Sequence, residues 1–95
     1  MRKSMVEKLH DKLVKIVDTG CYGKNYYSIR VSKVSDTEFD MKVVAEDMVE
    51  AALFNSQKPE KYSKSRIFYS NEKSRVVTYE GKPNCWEVTA HMTVR

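Results

Sequence analysis

Glycine and proline are scarce in this sequence, three and two among 95 residues. That excludes a collagen-like or low-complexity chain and leaves little to interrupt regular structure. Glycine occurs only at Gly20, Gly23 and Gly81, so there is no phosphate-cradling loop. The segment Gly20-Cys21-Tyr22-Gly23-Lys24 is too short and lacks the companion residues. Cysteine and histidine are as sparse, at Cys21, Cys85, His10 and His91, and their spacing fits no zinc pattern. No apolar run approaches membrane-spanning length, and the first residues form a charged amphipathic stretch without the apolar centre of a secretory signal. These absences predict a cytoplasmic protein with reduced thiols, no cofactor, no metal and no membrane partner.

What is present describes an ordinary globular chain, 41% hydrophobic and 32% charged, predicted to fold as one domain over 1–95. A chain of this size hides roughly 60–65% of its unfolded surface, enough for a core but not a large one. The net charge of +4 is unevenly placed: residues 1–33 carry +5, residues 34–55 carry −5 and residues 56–95 carry +4. A nucleic-acid module concentrates positive charge on a continuous surface, and here an acidic segment interrupts it.

Residues 4–18 read as a helix. Ser4 and Glu7 form a capping box, and Met5, Val6, Leu9, Leu13, Ile16 and Val17 share one side. Lys8, Lys12 and Lys15 form a separate stripe, the wet side of a surface helix, and Gly20 suits a left-handed cap. Two alternating strands follow at 26–34 and 38–44, with Tyr27, Ile29 and Val31, then Phe39, Met41 and Val43, on their apolar sides. Residues 45–54 change period: Ala45, Met48, Val49, Ala52 and Leu53 have helical spacing behind the acidic start of Glu46, Asp47 and Glu50. Residues 55–64 are polar, contain Pro59 and read as a loop. Three strands are predicted near 65–71, 74–80 and 85–94, with turns at 71–73 and 81–84. In the last, Trp86, Val88, Ala90, Met92 and Val94 oppose Cys85, Glu87, Thr89, His91 and Thr93. The expectation is an α+β fold in the order α-β-β-α-β-β-β. A mostly antiparallel sheet of about five strands would carry the N-terminal helix on one face, with a second short helix.

The segment 65–80 has no polar side. Read as a hairpin with a two-residue turn, it places Arg66, Phe68, Arg75, Val77 and Tyr79 on one side, with Ile67, Tyr69, Val76 and Thr78 on the other. A four-residue turn at 81–84 brings Val77 and Tyr79 beside Val88 and Trp86, leaving Ile67, Tyr69 and Val76 outside. An odd-length turn exposes Phe68, Val77 and Tyr79 instead. Either way, apolar side chains remain after the core is filled, unless the second helix covers them. Surplus of this kind marks an interaction surface. The predicted partner-binding residues are Arg66, Ile67, Phe68, Tyr69, Arg75, Val76 and Tyr79, aromatic and aliphatic anchors rimmed by arginine.

Catalytic chemistry finds no foothold. Nothing in the sequence brings His10 and His91 together for acid–base work. Cys85 and His91 share a strand face about 20 Å apart, too far for a nucleophile and its base. The acidic residues Glu38, Asp40, Glu46, Asp47 and Glu50 read as solvated; a partner they did bind would be cationic. Lys58, Lys61, Tyr62, Lys64, Arg66, Lys73 and Arg75 interleave cations with rings, as phosphate contacts and base stacking require. In size and in its Lys-, Tyr- and Met-rich composition the chain is similar to accessory proteins of phages and mobile elements, although no motif carries that likeness. The first expectation is a non-enzymatic module that binds another protein, or itself, as an inhibitor or adaptor. The alternative is a nucleic-acid-binding regulator using the segment 58–75. A small ribonuclease working through Lys, Arg and Tyr ranks third.

Overall fold

Ser4 opens the first helix as its spacing from Glu7 predicts. The Ser4 hydroxyl accepts from the Glu7 N–H and donates to the Glu7 carboxylate, both at 3.2 Å. The structure, a computed structural model, describes residues 4–19 and 26–95, and of 16–19 only the backbone. The predicted cap at Gly20, Gly23, Cys21 and the side chains of Ile16 and Val17 lie outside that description. The elements are α1 (Met5–Thr19), β1 (Tyr26–Lys33), β2 (Glu38–Ala45), α2 (Met48–Gln57), β3 (Lys61–Tyr62), β4 (Ser65–Tyr79) and β5 (Lys82–Val94). The class is α+β and the order is the predicted α-β-β-α-β-β-β. The strands pair antiparallel throughout, in the order β1-β2-β5-β4-β3.

The period-2 pattern of β2 and β5 decides which side of the sheet is dry. Phe39, Met41, Val43 and Ala45 stand opposite Met92, Ala90, Val88 and Trp86, and both helices lie over them. Leu9 and Leu13 of α1, with Ala51 and Phe54 of α2, complete this core. Each of the larger of these side chains contributes about 1.5–3 kcal/mol by leaving water, and each alanine less. Among the described residues the other side of the sheet carries no helix, so these elements form two layers.

Several boundaries differ from expectation. The predicted hairpin over 65–80 is one continuous strand, β4, because β5 is long enough to pair with both halves. The turn-like Asn71-Glu72 makes a bulge instead. Ser70 faces His91 and Lys73 faces Thr89, so two residues stand opposite Ala90 alone, with Asn71 left-handed at φ 52°. One extra residue moves every later side chain to the other face. Phe68, Lys73, Arg75 and Val77 therefore share the bare side, and Ile67, Tyr69, Ser74 and Val76 the helix side.

The β4–β5 connection is the two-residue Glu80-Gly81, not a four-residue turn. Both residues have positive φ, 48° and 80°, the mirror-image turn that matches strand twist. A second irregularity follows between Val77 and Tyr79, with Asn84 left-handed at φ 64°, and it sets Val77 opposite Cys85, away from the helices.

In β1 a bulge between Tyr26 and Ser28 sends Tyr26, rather than Tyr27, to the core side. Tyr26 packs on Phe54 with ring centres 6.0 Å apart. Residues 61–62 pair with 65–66 around Ser63-Lys64, so the predicted loop contains a strand. Finally, β2 runs through Ala45, and α2 begins only at Met48, where the Asp47 side chain accepts from the Glu50 N–H at 2.9 Å.

Candidate functional site

The late start of α2 sets its rotation. Ala51 and Phe54 point into the core, and the apolar stripe of Met48, Val49 and Ala52 points out, with Leu53 half-buried at its border. Met48 is 58% exposed and Val49 61%. The ring of Phe54 wins the inward position because it fills more core volume than the alternative stripe and docks on Tyr26. A surface helix ordinarily carries polar residues outward; α2 is apolar on both sides. Exposed Glu46 and Asp47 border the outward stripe. Val76, 56% exposed, lies on the same side of the sheet, in the cross-strand row Ala45–Trp86–Val76.

The predicted partner surface is divided between the two sides of the sheet. Ile67 is buried in the core, and Tyr69 packs half-buried beside it, its hydroxyl donating to the Pro59 carbonyl at 2.6 Å. Burial pushes the Tyr69 phenol well above its usual range. Across the sheet, Phe68 stays 44% exposed beneath the Arg95 guanidinium, 5.2 Å from its ring centre. Tyr79 stacks on Tyr27 with ring centres 5.9 Å apart, and Lys82 covers the Tyr27 ring at 4.3 Å. Arg75 bonds Glu87, and Arg66 is exposed. Of these residues, Phe68 and Val76 are the exposed apolar ones, and they face opposite ways.

The predicted nucleic-acid segment is divided as well. Tyr62 packs half-buried on the core, with Lys12 over its ring at 5.8 Å, away from Lys73 and Arg75. Lys58 is held between Glu72 and the Tyr69 ring. Lys61, in β3, and Lys64, just after it, are exposed, whereas Lys73 and Arg75 lie on the bare sheet face.

That bare face is built from cross-strand rows. Ser32, Asp40, His91 and Ser70 form one, Arg30, Lys42, Thr89 and Lys73 the next, and Ser28, Val44, Glu87 and Arg75 the third. A hollow of about 610 Å³ lies over the first two, with Arg30, Lys42, Thr89, His91 and Asn71 in its lining. In the first row His91 is clamped: Nδ1 lies 2.9 Å from Asp40, and Nε2 lies 3.0 Å from Glu38. Both nitrogens donate only in the imidazolium form, so the carboxylates, Asp40 first, raise the His91 pKa above its ordinary value. The same contact, helped by the Ser35 hydroxyl, lowers that of Glu38. In the third row Glu87, nearly buried, takes Arg75 at 3.0 Å and Lys42 at 3.4 Å.

His10 sits on α1, where Nε2 donates to the Ile29 carbonyl at 2.9 Å, while His91 is on the bare face. The sheet separates them, and Cys85 is a buried free thiol. Sequence reasoning missed both the outward side of α2 and the cationic row. The stripe at 48–53 was visible, but its direction depends on where β2 ends. The row joins residues from four strands, and only the register shows it. Among the described residues no helix is long and apolar enough to cross a membrane. Compared with protein-family models, curated proteins and solved structures, the chain finds no match in any of the three, so the function rests on these surfaces alone.

Proposed function

We propose that the chain is a non-enzymatic module that binds another protein, as an inhibitor or adaptor, through the outward side of α2. One observation carries the reading: α2 is apolar on the side that faces water, with Met48 and Val49 each more than half exposed. The acidic residues Glu46 and Asp47 beside that stripe favour a partner that brings cations around an apolar anchor. A second copy docked through the same stripe by two-fold symmetry would set the two acidic borders close together, which disfavours self-association.

The test is capture of a partner from the native host with the wild-type chain and with Met48→Glu/Val49→Glu. Loss of the partner with the double variant, at unchanged thermal stability, is the expected result. Undiminished capture refutes the reading. Sedimentation of the same proteins tells a foreign partner from a dimer, because a dimer broken by those substitutions assigns the stripe to a second copy.

A further inference from the structure

Row by row, the bare face of the sheet is not evenly charged. The row across β1, β2, β5 and β4 reads Arg30, Lys42, Thr89, Lys73: three cations, one hydroxyl and no carboxylate. Arg30 and Lys73 have no acidic partner among the described residues, and Lys42 shares the single Glu87 carboxylate with Arg75. On the other flank, Glu38 and Asp40 are both engaged by His91. The centre of the face therefore presents a surplus of positive charge beside a hollow of about 610 Å³, lined by Ser32, Ser70, Thr89 and Asn71, which can donate hydrogen bonds, and also by the Asp40 carboxylate that His91 engages.

We propose that this row binds the phosphodiester backbone of a single-stranded nucleic acid laid across the strands from β1 to β4. Four strands span roughly 14 Å at ordinary spacing. That length suits a few nucleotides of one strand lying in the hollow, and arginine with lysine is the donor set that phosphate oxygens take. Of the segment 58–75, Lys73 is the one cation in this row, with Arg75 in the adjacent row and Ser70 and Asn71 in the lining of the hollow. The inference is independent of the protein-binding reading, because α2 lies on the opposite side of the sheet.

The experiment is fluorescence-anisotropy titration of labelled oligouridine and oligothymidine at 50 and 200 mM salt. Three to four phosphate contacts predict an affinity loss of roughly 20- to 50-fold between those salts. Arg30→Gln/Lys73→Gln should weaken binding at least tenfold and flatten the salt slope by about 1.4. Lys61→Gln/Lys64→Gln removes the same charge away from the face and should change the affinity less than twofold. Four results overturn the proposal: no binding at the lower salt, equal loss with both double variants, equal affinity for a duplex, or tighter binding of an oligoglutamate peptide than of either oligonucleotide.

Discussion

A paired substitution in α2 tests the rotation on which the protein-binding reading depends. Phe54 is fully buried against Tyr26, and Val49, five residues earlier, is 61% exposed. Truncating a buried phenylalanine removes its transfer energy and leaves a cavity, together about 3–5 kcal/mol. A chain of this length has roughly 5–14 kcal/mol in all, so Phe54→Ala should remove a large share. At about 4–8 °C per kcal/mol, the melting temperature should fall on the order of 12–40 °C. Val49→Ser removes a side chain with about two-fifths of its surface in contact, worth about 0.5–1 kcal/mol, and leaves the Asp47 cap intact. The assay is urea and thermal unfolding followed by far-ultraviolet circular dichroism on both variants. A ratio of losses of at least three is expected. Equal losses, or a larger one for Val49→Ser, mean that α2 packs on its other side. The exposed stripe, and the binding surface drawn from it, would then disappear.

The clamp on His91 predicts a titration. By nuclear magnetic resonance the imidazole should titrate above its ordinary 6.5, and Asp40→Asn or Glu38→Gln should lower the value; a wild-type value at or below 6.5 contradicts the geometry. The sign for stability follows. The raised His91 value adds stability fully present below pH 6.5 and lost as pH rises through the folded value. The lowered Glu38 value adds stability present above pH 4.5 and lost as pH falls through its folded value. The clamp is therefore strongest between those limits. At the β4–β5 turn, Glu80 holds φ 48° with an ordinary side chain, so Glu80→Asn should stabilise by about 0.5–1 kcal/mol in urea unfolding; a loss would place the turn elsewhere. Tyr69→Phe should cost about 0.5–1.5 kcal/mol by orphaning the Pro59 carbonyl, and no change in the urea midpoint would mean that water replaces the phenol.

Local chemistry made much of the fold legible. The Ser4–Glu7 capping box, the alternation of Phe39, Met41 and Val43, and the five inward residues from Trp86 to Val94 are each set by periods of a few residues, which survive into the structure because burial rewards them. The surplus of apolar side chains was legible too, but not its address. A turn signal such as Asn71-Glu72-Lys73 serves a hairpin or a bulge equally well, since asparagine tolerates the left-handed backbone that either can use; the length of β5 chose the bulge. That choice put Ile67 and Tyr69 under cover and left Phe68 on the far side. Whether Ala45 ends a strand or begins a helix is likewise a contest between neighbours, and its place opposite Trp86 turned Met48 and Val49 outward. The cationic row exists only in the register, because Arg30, Lys42 and Lys73 are distant along the chain and meet through strand pairing.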